Sequence, residues 1–153
     1  MQIPLWLSVG ILAGLWMPVA GALGVGAWPL FIAWGAFFVG GADLAAFKKV
    51  YPSLLLGLAC AYLTIFFGVK QLSTLLGPIG VPLFVGVFAA IIVILGKYNP
   101  FSLTPLAFFG FAIYFGTGLE LKTTLVGLAL GPVIGYLSVK ATTIFDQKTI
   151  PQK

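Results

Sequence analysis

The feature that most constrains this chain is the length of its uncharged runs. Residues 1–42 contain no charged side chain, and further uncharged runs cover 50–69, 71–96, 98–119 and 123–139. A helix of about 20 apolar residues crosses the hydrocarbon core of a bilayer. The alternation expected of lipid-facing strands is absent, so helices satisfy the backbone here. Only 7% of the residues are charged and 61% are hydrophobic, whereas soluble domains carry about 25% charge. This composition cannot coat a water-facing surface. It predicts an all-α membrane protein.

The first run is long enough for two spans, divided near Gly24-Val25-Gly26-Ala27. The expected spans are 4–23, 28–47, 52–69, 78–96, 101–119 and 123–143, in a single membrane domain 1–153 with a polar cytoplasmic tail at 144–153. Six spans put both termini on one side, together with Lys48, Lys49, Lys97, Lys140, Lys148 and Lys153. Lys70 and Lys122 fall on the other. Lysine favours the cytoplasm, so both termini are expected there. The net charge of +5 then reflects topology and contact with anionic lipid heads. With no arginine and scattered lysines, no nucleic-acid partner is implied. Ala20-Gly21-Ala22 has the look of a signal cleavage site. No basic residue precedes it, however, so the first span is expected to be retained.

The chain also carries a faint internal repeat. At a shift of 76, Val9, Gly10, Ala13, Pro29, Leu30, Ala36 and Gly40 fall on Val85, Gly86, Ala89, Pro105, Leu106, Ala112 and Gly116. Those seven identities compare with roughly three expected by chance in so biased a composition. After a six-residue deletion, Gly57-Leu58-Ala59 matches Gly127-Leu128-Ala129. Repeat one then covers about 1–76 and repeat two about 77–143. With three spans each, the copies face opposite ways. The expected fold is six transmembrane helices as two inverted three-helix repeats, an architecture common in transport proteins.

Lipid gives helices no hydrophobic reason to associate, so small residues mark close approach. Gly127, Gly131 and Gly135 lie on one face of the last span, and Gly10 and Gly14 on one face of the first. They are candidates for packing within the bundle or, alternatively, between subunits of a homo-oligomer, a dimer or trimer.

No catalytic constellation is visible. Histidine is absent and Cys60 is the lone cysteine, so a serine nucleophile lacks its usual base and zinc its usual ligands. No enzyme activity, metal or cofactor is expected. Asp43 and Glu120 are more informative. They lie 77 residues apart, near the ends of the central spans of the two halves. Acids at membrane depth are functional candidates. Each also has an interfacial-anchor reading, because Lys48 and Lys122 are close in sequence. In an inverted repeat the two acids lie on opposite faces and suit two mouths of one path. Asp146 belongs to the polar tail.

Tyr98-Asn99-Pro100-Phe101-Ser102-Leu103-Thr104-Pro105 breaks any helix through it. Asn99, Ser102 and Thr104 offer polar contacts to a cavity. The alternative is a tight turn with proline opening the next helix. Phe37, Phe38, Phe108 and Phe109 sit in the central spans. Facing inward, they form an apolar constriction that rejects hydrated ions. Facing lipid or core, they are ordinary packing.

The chain resembles a YcdZ-like bacterial inner-membrane family of unknown function. The likeness lies in its length, its six-span layout, residues Gly10-Ile11-Leu12-Ala13-Gly14-Leu15-Trp16, and the stretch from Gly127 to Tyr136. That resemblance implies a location and a topology without an activity. Locally, Asn99-Pro100-Phe101-Ser102-Leu103-Thr104-Pro105-Leu106 is similar to the Leu-Pro-x-x-Thr-x-Pro-Phe motif of urea transporters. The spacing differs, and the leading leucine and final phenylalanine are missing.

The expected function is a channel or facilitator for a small neutral solute such as urea, a short amide or ammonia. Asn99, Ser102 and Thr104 would supply hydrogen bonds and the four phenylalanines a constriction. Alternatives are a proton- or ion-coupled carrier using Asp43 or Glu120, and a structural subunit without a solute path.

Overall fold

The computed structural model describes residues 3–144, with the backbone alone for 143 and 144. The tail from 145 onward, with Asp146, Lys148 and Lys153, lies outside the described residues. Among those described, all regular structure is helical.

Helix α1 spans Leu5–Leu23. It ends where Gly24 turns left-handed at φ 62° and the Val25 N–H donates back to the Ala20 carbonyl at 3.1 Å. Glycine takes this conformation at little steric cost. Helix α2 spans Trp28–Val39, with Pro29 in its first turn. Helix α3 spans Phe47–Ile65 and runs into a wider π-type turn at Phe66–Gln71. A short helix α4, Ser73–Leu76, and a tight turn lead into α5, Gly80–Leu95. Helix α6 spans Thr104–Gly116, again with proline in its first turn. Helix α7 spans Leu121–Ile144.

Four segments are long and apolar enough to cross a membrane: Leu5–Leu23, Phe47–Gln71, Ser73–Leu95 and Leu121–Thr142. The two central helices are shorter than the spans the sequence suggested. Helix α2 has 12 residues and α6 has 13, rising about 18 and 20 Å at 1.5 Å per residue. A hydrocarbon core is about 30 Å thick. The causes are local. Gly41 and Ala42 take positive φ and end α2 well before residue 47. Residues 99–103, with Pro100 removing a donor, delay the start of α6 until Thr104.

Helix direction follows from which residues meet. A methyl added to Gly127 would strike Pro29, to Gly131 Ala33, and to Gly135 Phe37. Both helices advance by four at each step, so α2 lies alongside α7 in the same direction. Helix α6 lies alongside α3 likewise. Lys48 and Lys49 at the start of α3 share a cleft with Asn99 and Pro100 just ahead of α6, and further along both helices the Tyr62 and Tyr114 rings lie 6.3 Å apart. Helix α1 runs against α7. The Ser8 hydroxyl donates to the Ser138 carbonyl at 2.8 Å, and at the far end Lys122 Nζ donates to the Leu23 carbonyl at 3.0 Å. Helix α5 runs against α3, with Gly68 close to Gly80 and the Phe67 and Phe84 rings 5.5 Å apart.

The bundle therefore has two groups of three helices. Trp16, Ala20, Leu30 and Trp34 form the core of α1, α2 and α7. Cys60, Phe88, Ile92 and Ala107 form the core of α3, α5 and α6. A third cluster, including Phe37, Val50, Leu54, Leu106, Ile113 and Leu128, joins the two groups. Gly10 and Gly14 have a different setting from Gly127, Gly131 and Gly135. A methyl on either would meet nothing within 4 Å.

Candidate functional site

The loop between α2 and α3 is shaped by glycine and an acid. Gly41 has φ 118° and Ala42 φ 59°, which turns the chain sharply after Gly40. Asp43 follows, and its Oδ1 accepts the Ala46 N–H at 2.7 Å. The carboxylate thus holds the turn that starts α3, in the manner of a helix cap.

Two clefts open around this loop. One, of about 430 Å³, is lined by Ala42, Asp43, Leu44, Ala45, Tyr136, Val139 and Lys140. The other, of about 420 Å³, is lined by Ala45, Lys48, Lys49, Asn99 and Pro100. Ala45 borders both, so the clefts adjoin. They gather the α2–α3 loop, the α5–α6 connection and the last turns of α7 at one end of the bundle.

Beneath the Asp43 cleft the bundle is closed by rings. Phe37 is fully buried. Its ring lies 5.4 Å from Phe47, 5.9 Å from Phe38 and 6.5 Å from Tyr136. Phe47 also stacks on Tyr51 at 5.5 Å. The Tyr51 hydroxyl donates to the Ala129 carbonyl at 2.7 Å, in the turn before Pro132. Lys140 Nζ sits 5.7 Å from the centre of the Tyr136 ring, a cation–π distance.

The residues singled out from sequence separate in space. Phe37 and Phe38 are together. Phe108 and Phe109 are not with them; they are exposed on the outer face of α6. The buried face of that helix carries Leu106, Ala107, Gly110, Ile113 and Tyr114, and residues 108 and 109 project from the other side. Phe108 instead lines an apolar hollow of about 330 Å³ with Val85, Ala89, Phe111 and Ala112. The four phenylalanines do not come together; Phe37 and Phe38 lie with Phe47 and Tyr136 instead. Asn99 reaches the second cleft, Ser102 is exposed, and the Thr104 hydroxyl packs against Gly96 at the end of α5. The Asn99–Pro100 peptide is cis.

Glu120 lies at the opposite end of the bundle, before α7. Its Oε2 accepts the Thr123 hydroxyl, and its carbonyl accepts the Thr124 hydroxyl at 2.8 Å. The Thr117 and Thr124 hydroxyls lie 2.9 Å apart. Here too the acid closes the turn that starts a long helix.

Sequence reasoning passed over Ser53 and gave Trp34 no polar role. Ser53 Oγ and Trp34 Nε1 are buried, and neither has a hydrogen-bond partner. Unpaired donors in an apolar interior are costly. A lone serine or tryptophan in an apolar helix gives no sequence signal of that state. Among the described residues, no group of three metal-ligating side chains comes together.

Residues 6–143 match the model of a family described as a protein of unknown function, DUF1097. The chain belongs to that family. It is 27% identical over 143 residues to the uncharacterized protein YahC of Escherichia coli (strain K12), covering 86% of this chain and 84% of that one. No solved structure matches the chain. An unknown-function family is what the wider resemblance implied. The YcdZ-like label and the likeness to urea transporters gain no support from these matches, and the latter rests on residues 99–106 alone. With several long apolar helices, this family member is a multi-pass membrane protein.

Proposed function

We propose that this protein is a non-enzymatic facilitator for a small neutral solute, built as two inverted three-helix repeats in a bacterial inner membrane. One observation carries the reading. Each short central helix lies parallel to the third helix of the opposite half: α2 on α7, and α6 on α3. The turns that follow the short helices support it. Gly41-Ala42-Asp43 and Gly118-Leu119-Glu120 both place positive φ at the glycine and at the next residue. In each, the residue before the acid donates its N–H to a carbonyl five residues back, at 3.2 Å from Ala42 to Phe37 and 3.0 Å from Leu119 to Tyr114. Inverted repeats with short or broken central helices are a recurring transporter design.

The solute class follows from the lining. The clefts at the α2–α3 loop lead to aromatic rings and an apolar core, which favours neutral molecules over hydrated ions. Ser53 and Trp34 are uncommitted donors inside the bundle, suited to the carbonyl oxygen of urea or a short amide. In this reading the lysine-rich end, with both termini, faces the cytoplasm, and the path passes Asn99, Phe37 and the α2–α6 contact. A coupled carrier is less well supported, because the Asp43 and Glu120 carboxylates already accept hydrogen bonds in their own turns.

Stopped-flow light scattering of reconstituted liposomes tests the proposal. Urea or formamide should enter faster than into empty liposomes, independent of a proton gradient. Asn99→Leu and Ser53→Ala should each slow that entry. No acceleration for any neutral solute would overturn the reading and leave a structural role.

A further inference from the structure

We propose that Trp28 is the outer gate of the solute path, where outer denotes the end opposite the two clefts. Its ring closes the seam between α2 and α6 in this structure. It withdraws in a second state, in which Thr104 closes on Gly40 at the inner end. The gate presupposes the solute path and the inverted repeat proposed above.

Trp28 opens α2, and Gly116 closes α6. A methyl added to Gly116 would come within 2.7 Å of the tip of the Trp28 ring. The ring therefore lies over the end of the other short helix. The turn that carries Trp28 is fastened beside it. Trp16 Nε1 donates to the Ala27 carbonyl at 2.9 Å, and Lys122 Nζ to the Leu23 carbonyl at 3.0 Å. The Thr123 methyl is 3.4 Å from where a methyl on Gly26 would stand. The lysine bond is exposed, so water replaces it at small cost when the turn moves.

The inner ends of the same two helices are packed differently. Under the shift of 76 that aligns the halves, Trp28 corresponds to Thr104, Gly116 to Gly40 and Ala20 to Gly96. Were the two ends alike, Thr104 would lie over Gly40. Instead Thr104 packs on Gly96, within its own half, and Gly40 packs on Val50 and Ala46. The clefts of about 430 and 420 Å³ open at this end. One end of the α2–α6 seam is thus bridged by a ring, and the other is flanked by clefts. In an inverted repeat each half can take the packing of the other, which opens one end as it closes the other. The second state moves Trp28 towards Ala20 and Thr104 towards Gly40.

Distances between paired spin labels, read by electron paramagnetic resonance on the full chain in liposomes, test the exchange in a Cys60→Ala background. One pair, Leu23→Cys with Leu119→Cys, spans the outer end. The other, Leu44→Cys with Tyr98→Cys, spans the clefts. All four native side chains are exposed. Trp28→Ala should raise the population with the longer outer distance about fivefold, and the population with the shorter inner distance should rise with it. Gly116→Ala, whose methyl displaces the ring without removing it, should act in the same direction. A tryptophan that only anchors its helix at the interface leaves the inner pair unmoved. An outer change alone, or no change in either pair, would overturn the gate. Urea entry into the same liposomes separates the two readings. Reciprocal distance changes without urea entry would sink the solute reading and leave the alternation standing. Entry with unmoved distances would leave the solute path and remove the gate.

Discussion

At the scale of single residues, glycine does two different things in this chain. Gly57 and Gly131 sit where two helix backbones meet, so an added methyl would strike main-chain atoms of Ala107 in one case and of Leu30 and Trp34 in the other. Main chain cannot swing aside as a flexible side chain can. Gly57→Ala and Gly131→Ala should each lower stability by about 1–3 kcal/mol. Gly10→Ala and Gly14→Ala face open space and should stay within about 0.5 kcal/mol of wild type. Thermal unfolding of the four purified variants in one detergent reads the contrast. Equal losses in all four would show that α1 is packed on a face the structure leaves open. The residue pattern alone could not separate these glycines, because four-residue spacing marks a smooth face and says nothing about what lies against it.

At the scale of elements, the ends of the helices were less legible than their existence. Charge-free runs marked where the four membrane-length segments lie, since burying a lysine or an acid in lipid is costly enough to empty such stretches. The early stop of α2 was hidden because Gly40, Gly41 and Ala42 are as compatible with an apolar span as with a turn. The expected start of α6 at residue 101 falls inside the non-helical stretch 99–103, although Pro100 and Pro105 marked a break there. The aromatic closure was half legible: Phe37 and Phe38 were visible as a pair. Phe47 and Tyr136 join them only through the fold, from two other helices. Asp43 likewise shows its work only in three dimensions. Asp43→Ala removes the acceptor for the Ala46 N–H and should cost about 1 kcal/mol, whereas Asp43→Asn keeps an acceptor and should retain most of it. Melting curves of the two variants separate a cap from a charge. If Asn melts as low as Ala, the charge matters and the coupled-carrier reading regains ground.

At the scale of the whole molecule, the decisive relation is the exchange of third helices. Helices α1 and α2 complete their group with α7, and α5 and α6 complete theirs with α3. Neither half of the chain contains a finished three-helix group. The central cluster around Phe37, Leu54 and Leu106 then joins the groups. The proposed inverted repeat requires the two short helices to carry the chain from one side of the membrane to the other despite their length. Clefts and connections at their ends make that feasible, because irregular backbone is tolerated at membrane depth where it lines a cavity.

That crossing is the most direct point of test. Single cysteines at Gly26 and Lys48, each in a Cys60→Ala background, would be labelled in intact cells with a thiol reagent that cannot cross the membrane. The inverted-repeat architecture predicts opposite results for the two sites, with Gly26 labelled from outside and Lys48 reached only after the membrane is opened. Labelling of both from the same side would mean that α2 enters and leaves on one face. The proposed inverted repeat, and the solute path built on it, would then be wrong.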